Sequence, residues 1–210
     1  MVIADRDARE RLRKSAVLDC SILDTAAEPA YDGLAQLASL IAGMPLAVIT
    51  FMDDDRIWFK AKTGSLPDEV PREGGLCSLT VESEQPLVMP DTLEHPEGRL
   101  AAAVVGPPHV RSYAGFPVHA PGGQVVGTLC VMDVEPHELD AEALRGLKLL
   151  ATQVDAQLAL RRADREALQS ATRRREQVEV MAAGVAHEIN NPLTCVAVGL
   201  DRLEGLLEAM

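Results

Sequence analysis

Val110-Arg111-Ser112-Tyr113-Ala114-Gly115-Phe116-Pro117-Val118 is followed, across Pro121-Gly122-Gly123, by Gln124-Val125-Val126-Gly127-Thr128-Leu129-Cys130-Val131-Met132. Both runs are apolar and β-rich, and the turn between them is built from Pro and Gly, so the pair reads as strand, turn, strand. A second such unit lies upstream, where Leu46 to Met52 and Ile57 to Lys62 flank Asp53-Asp54-Asp55. The stretch between the hairpins is broken. Residues 63–76 carry Gly64, Pro67, Pro71, Gly74 and Gly75 and read as loop. A helical turn is expected around Ser78 to Glu82, then a short strand from Pro86 to Met89. Residues 90–109 read as another loop with a helical turn near Arg99 to Val104. Ahead of the first hairpin, Leu34, Leu37, Ala38 and Ile41 form a helical stripe within Tyr31 to Met44, and residues 5–14 read as a short lead-in helix. Hairpins separated by helices predict an α+β fold on an antiparallel sheet, rather than a parallel α/β sheet.

After Pro136 the pattern turns helical and stays so. Leu144, Leu147, Leu150, Ala151, Val154 and Leu158 mark one stripe. Val178, Met181, Val185, Ile189, Leu193, Val196, Leu200, Leu203 and Leu207 continue it at spacings of three and four, with a weak stretch over residues 161–177. One small domain cannot cover so long a stripe, so a parallel coiled-coil homodimer is expected. Its seam would bury Leu147, Val154 and Leu158, then Val178, Met181 and Val185.

Composition narrows the class. The chain has 210 residues, 47% of them apolar and only 3% aromatic, enough for an aliphatic core with an appendage. A net charge of -12 argues against nucleic acid as a partner. Six arginines (Arg161, Arg162, Arg165, Arg173, Arg174, Arg175) against Asp164, Glu166 and Glu176 make residues 160–177 locally basic, which reads as a solvated helix face. Cys20, Cys77, Cys130 and Cys195 show no paired metal-ligand spacing, so no metal site is expected and reduced thiols are the simplest account. The charged N-terminus is no signal peptide, and no apolar run approaches a membrane span. A cytoplasmic location is expected.

Six stretches in order carry a family resemblance. They are Ile22-Leu23-Asp24-Thr25, Tyr31-Asp32-Gly33-Leu34, Asp55-Arg56-Ile57-Trp58-Phe59-Lys60-Ala61, Leu76-Cys77-Ser78, Arg111 through Val118, and Gly127-Thr128-Leu129-Cys130-Val131-Met132-Asp133. The chain resembles a GAF domain over residues 16–158, of the variant found ahead of bacterial kinase and cyclase outputs. The resemblance implies a central antiparallel sheet, helices behind it, and loops folded over a pocket on the other face. Trp58, Phe59, Cys77, Tyr113 and Phe116 are candidate lining residues for that pocket, whose ligand stays unnamed. GAF-fold methionine sulfoxide reductases need cooperating cysteines; Cys77 stands in a Gly-Gly-Leu-Cys context that partly fits, but residues 91–110 hold no cysteine. Haem through His95 or His109 and a bilin on Cys77 are disfavoured.

Near the end stands His187-Glu188-Ile189-Asn190-Asn191-Pro192-Leu193. At ~100° per residue His187 lies about 180–200° from Val185, Ile189 and Val196, and about 40° from Asn191, while Glu188 is about 60° from Asn191. The three side chains are therefore expected on one polar patch away from the seam. A neutral imidazole has a nitrogen free to attack a terminal phosphate, and Glu188 can orient the ring and draw off charge as base. Pro192 lacks an N–H and clashes with the Glu188 carbonyl, which should loosen the helix beside the histidine. The segment resembles the phosphoacceptor motif of sensor histidine kinases of two-component systems. That resemblance implies His187 as phosphoacceptor and Glu188-x-x-Asn191 as the placer of water for dephosphorylation.

The expected organisation is a lead-in over residues 1–15, the sensor over 16–158, a signalling helix over 144–185, and a partial dimerisation and phosphoacceptor helix over 178–210. No nucleotide-binding loop is visible in the sequence. The chain is expected not to phosphorylate itself alone, and to be a fragment of a longer kinase in preference to a natural short phosphoprotein. ATP and Mg belong to an ATP-binding domain supplied in cis or in trans. A response-regulator receiver domain is the expected phosphoryl partner, and no cofactor is expected in this chain. The alternative is a ligand-binding or dimerising scaffold whose histidine goes unused.

Overall fold

A computed structural model describes the backbone of residues 2–208 and the side chains of residues 7–179 and 181. Helices α1 (Val2–Cys20) and α2 (Pro29–Ala42) precede the hairpin of β1 (Leu46–Met52) and β2 (Arg56–Lys62). Then come β3 (Glu69–Pro71), α3 (Leu76–Ser83), β4 (Leu87–Met89), a 3-10 turn (Gly98–Leu100) and α4 (Ala102–Val105). The second hairpin, β5 (Ser112–His119) and β6 (Val125–Asp133), leads into α5 (Ala141–Glu208).

The strands form one six-stranded sheet in the order β3-β2-β1-β6-β5-β4, antiparallel throughout. The expected α+β architecture is therefore observed. β1 and β6 lie at the centre, covered on both faces, and that explains why nearly every residue of each is buried instead of every second one. Residues 63–76 are not loop alone. Glu69–Pro71 pairs with β2 as an edge strand, where a flanking proline is tolerated because its missing N–H faces outward. The lead-in helix is longer than expected, and its residues Ala16, Val17 and Cys20 join the core.

Alternating residues of the central strands build two cores. On one face Ile49, Phe51, Phe116, Leu129 and Val131 meet Val17 of α1, Tyr31, Ala35 and Ala38 of α2, and Leu147, Ala151, Val154 and Leu158 of α5. On the other, Val48, Met52, Tyr113, Cys130 and Met132 meet Leu76, Cys77 and Val81 of α3 and Val104 of α4. The start of α5 is capped by Asp140, whose carboxylate accepts the Ala143 N–H at 2.7 Å.

The expected dimer seam needs correction at its N-terminal end. Leu147, Val154 and Leu158 are completely buried within the domain itself. They share a helical face, as their spacing required, but the sheet covers that face. A compact unit ends at Arg162; residues 163–210 form a second unit, which contains the continuation of α5. Among its described side chains, Leu168, Val178 and Met181 are exposed. The side chains of His187, Glu188, Asn191 and Pro192, and the seam residues from Val185 onward, lie outside the described residues. Among the described residues, no helix is long and apolar enough to cross a membrane.

Candidate functional site

A largely apolar cavity of about 190 Å³ opens on the sheet face opposite α1, α2 and α5. Its floor is the centre of the sheet, from Val48, Thr50, Cys130 and Met132, with Ile57 and Phe59 from β2. Cys77 on α3 and Ala102 and Ala103 on α4 close it, and the segments around Leu66–Pro67 and Pro107–Pro108 rim it. Ligand pockets for drug-sized molecules run to ~300–1,000 Å³. This cavity is smaller than that.

Register brings the polar floor together. In the ladder of β1 with β6, Val48 pairs with Cys130 and Thr50 with Thr128, so the two threonines share the cavity face and their hydroxyls stand 2.8 Å apart. Cys77 and Thr80 are one turn apart on α3 and both face the sheet. Thr80 Oγ1 is 2.8 Å from the Tyr113 hydroxyl, and Cys77 Sγ is 3.6 Å from Cys130 Sγ. Gly115 leaves room for this layer: a Cβ there would stand 2.1 Å from Tyr113 Oη and 2.6 Å from Thr80 Oγ1.

The two thiols are shifted in opposite directions. The hydrogen bond from the Cys130 thiol, helped by the hydroxyls of Thr128, Tyr113 and Thr50, lowers Cys77 against the opposing effect of burial. The hydrogen bond to Cys77, together with burial, pushes Cys130 well up. Burial and then the nearby Cys77 charge raise Tyr113 well above the usual phenol range.

Of the five candidate lining residues, the structure brings Phe59 and Cys77 to the cavity wall. Tyr113 lies on the same face beneath α3, held by Thr80. Trp58 and Phe116 belong instead to the opposite, helix-covered core. The reason is the pleat: Trp58 and Phe59 are neighbours on one strand and point to opposite faces, as do Tyr113 and Phe116 three residues apart. Cys130 was not singled out for the cavity, although the alternation Thr128, Cys130, Met132 carried the signal. Among the described residues, no cluster of His, Cys, Asp or Glu is placed to hold a metal ion.

A buried cation organises the other face. Lys60, with no exposed side-chain surface, donates from Nζ to Thr25 Oγ1 at 2.8 Å, to the Ala26 carbonyl at 2.6 Å and to Glu28 Oε1 at 2.6 Å. Its ammonium lies 5.3 Å from the Tyr31 ring centre and 5.9 Å from that of Trp58, within cation–π range. Arg161 of α5 donates to the same Glu28 oxygen at 2.7 Å and also to the Ser21 carbonyl. Burial raises the Glu28 carboxyl, but the hydrogen bond and charge of Lys60, then Arg161, outweigh it and the net shift is downward.

Residues 7–158, more than half of the chain, match the GAF domain family. The chain belongs to that family. Its GAF domain is similar to a free methionine-R-sulfoxide reductase from Neisseria meningitidis solved with its substrate, at a TM-score of 0.54 and 16% identity over 75% of this chain and 93% of that one. It is also similar to a domain assigned to a two-component sensor histidine kinase protein of Sinorhizobium meliloti, at a TM-score of 0.50 and 16% identity, covering 70% and 99% of the two chains. At such identities the likeness shows the GAF fold alone. In sequence the chain is 29% identical over 127 residues to a cyclic di-GMP phosphodiesterase of Pseudomonas aeruginosa. That match takes in 60% of this chain but spans only 22% of the relative's length.

Proposed function

We propose that this chain is the sensory and dimerising part of a two-component sensor histidine kinase, in which a small effector in the GAF cavity alters α5 and thereby the reactivity of His187. One observation carries the reading: the helix that buries Leu147, Val154 and Leu158 against the sheet is the helix whose sequence continues into His187-Glu188-Ile189-Asn190-Asn191-Pro192-Leu193. A sensor core and a phosphoacceptor motif thus share one continuous element. The GAF domain of Sinorhizobium meliloti assigned to a sensor histidine kinase supports the same pairing of fold and output.

In this reading His187 attacks the terminal phosphate of ATP held by a domain supplied in cis or in trans. Glu188 accepts the ring N–H and offsets the charge that develops on the imidazole. Asn191 with Glu188 positions water for the reverse reaction, and Pro192 loosens the helix between the two states. The phosphoryl group then passes to a receiver domain in the cytoplasm. The homodimer forms through α5 and its neighbours. Leu37 and Leu40 of α2 and Leu149 and Leu160 of α5 are exposed on the helical layer, and Val178 and Met181 continue an unpartnered stripe.

The competing reading is a scaffold that binds ligand and dimerises while His187 stays unmodified. The match to the cyclic di-GMP phosphodiesterase spans only 22% of that protein, so a similar stretch of sequence also stands in a protein of another printed activity. Incubating the chain with labelled ATP, alone and with a separately supplied histidine-kinase ATP domain, separates the two. Acid-labile label that needs the added domain and vanishes in His187→Ala supports the kinase reading. An intact dimer that never takes label supports the scaffold.

A further inference from the structure

Two of the described cysteines meet in the cavity. Cys77 arrives from the first turn of α3 and Cys130 from the middle of β6, and their sulfurs stand 3.6 Å apart at the cavity wall. Both are reduced and buried, so neither meets a large reagent from solvent. The other described cysteine, Cys20, lies in the opposite core, which makes it an internal control. The paired sulfurs border an open volume that a small reagent can enter.

We propose that Cys77 and Cys130 are an oxidisable pair, which hydrogen peroxide entering the cavity converts to a disulfide. The Cys77 thiolate attacks one peroxide oxygen; the S–O bond forms as the O–O bond breaks, and the hydroxide that leaves takes up the Cys77 proton as water. The Cys130 sulfur then attacks the Cys77 sulfenic acid. The S–S bond forms, the S–O bond breaks, and the Cys130 proton leaves with the hydroxyl as a second water. Two thiols are oxidised by two electrons and one peroxide is reduced to two waters. A dithiol reverses the change by exchange. A disulfide holds its sulfurs at ~2.05 Å, so closure draws α3 toward β6 and reshapes the wall of the cavity. The thiol chemistry stands by itself; only its consequence for signalling rests on the proposed sensor function.

The test treats the full, folded chain with equimolar hydrogen peroxide, alkylates remaining thiols in denaturant and maps peptides by mass. The expected product is a Cys77–Cys130 cross-linked peptide, lighter by two hydrogens, restored by dithiothreitol, and formed while Cys20 remains alkylated. Complete alkylation of both residues after peroxide overturns the proposal. So does a sulfinic acid on Cys77 without a cross-link, or a link between separate chains. In Cys130→Ala the sulfenic acid should persist and be trapped by dimedone at Cys77; should that variant fail to fold, the mapping of the unaltered chain decides. Because the readout is sulfur chemistry, it can fail while His187 still takes phosphate, and the reverse.

Discussion

At the residue scale, three positions make sharp claims. Gly115 has no side chain because the Tyr113 and Thr80 hydroxyls already occupy the space. Gly115→Ala must push that pair apart, and overpacking of this kind costs about 1–3 kcal/mol. Denaturant unfolding reads the loss, and an unchanged midpoint would show that the layer yields freely. Glu10 makes a claim about pH. The hydrogen bond from Arg13, helped by Arg72 and opposed by burial, holds its carboxyl far below the ordinary value of 4.5. A carboxyl with a depressed folded pKa stabilises the fold above its unfolded value, and that contribution drains away as pH falls through the folded one. The melting temperature should therefore drop on acidification below about pH 4.5, and Glu10→Gln should flatten that drop. Parallel curves for the two proteins would remove Glu10 from the account. Lys60 is the third: Lys60→Ala deletes three hydrogen bonds and leaves Glu28 to Arg161 alone. Glu28 is partly exposed and keeps Arg161, so the loss is that of the hydrogen bonds, about 1–3 kcal/mol, measurable by the same unfolding experiment.

At the element scale, what was legible depended on whether sequence neighbours are also spatial neighbours. Both hairpins could be read because each strand pairs with the next across a turn, and the α5 stripe could be read because a helix repeats locally. The edge strand β3 hid between prolines, whose usual meaning is loop. The seam assignment failed at Leu147, Val154 and Leu158 for a different reason. Periodicity says which residues share a face of α5, but the same stripe of Leu147, Val154 and Leu158 serves a sheet as well as a second helix. The cavity was half legible on the same grounds. Aromatic type drew attention to Trp58 and Phe116, yet alternation along a strand decides which face they take, and it sent them to the helix-covered core. The lysine within Ile57-Trp58-Phe59-Lys60-Ala61 was the one sign of the ion network, and its partners lie in a loop and a helix far away in sequence. The exposed leucines offer a prediction at this scale. Leu40→Glu or Leu149→Glu should raise the dimer dissociation constant at least tenfold in sedimentation experiments while leaving the monomer fold unaltered. A monomeric parent chain, or a dimer indifferent to both charges, would move the interface elsewhere.

At the scale of the whole molecule, the GAF family match ends at residue 158, whereas the compact unit ends at Arg162. The difference is small in length and large in content, because Arg161 lies inside it. Its guanidinium reaches the Ser21 carbonyl and Glu28, closing the loop that also wraps the Lys60 ammonium. Family likeness stops where sequences cease to align, and it takes no account of a side chain that reaches back. Anyone dissecting this protein should therefore place the cut by the clasp rather than by the alignment. A piece ending at residue 162 should melt above one ending at residue 158, with Arg161→Ala in the longer piece erasing most of the gain. Four residues of helix then decide whether the excised domain is a tractable reagent or a fraying one.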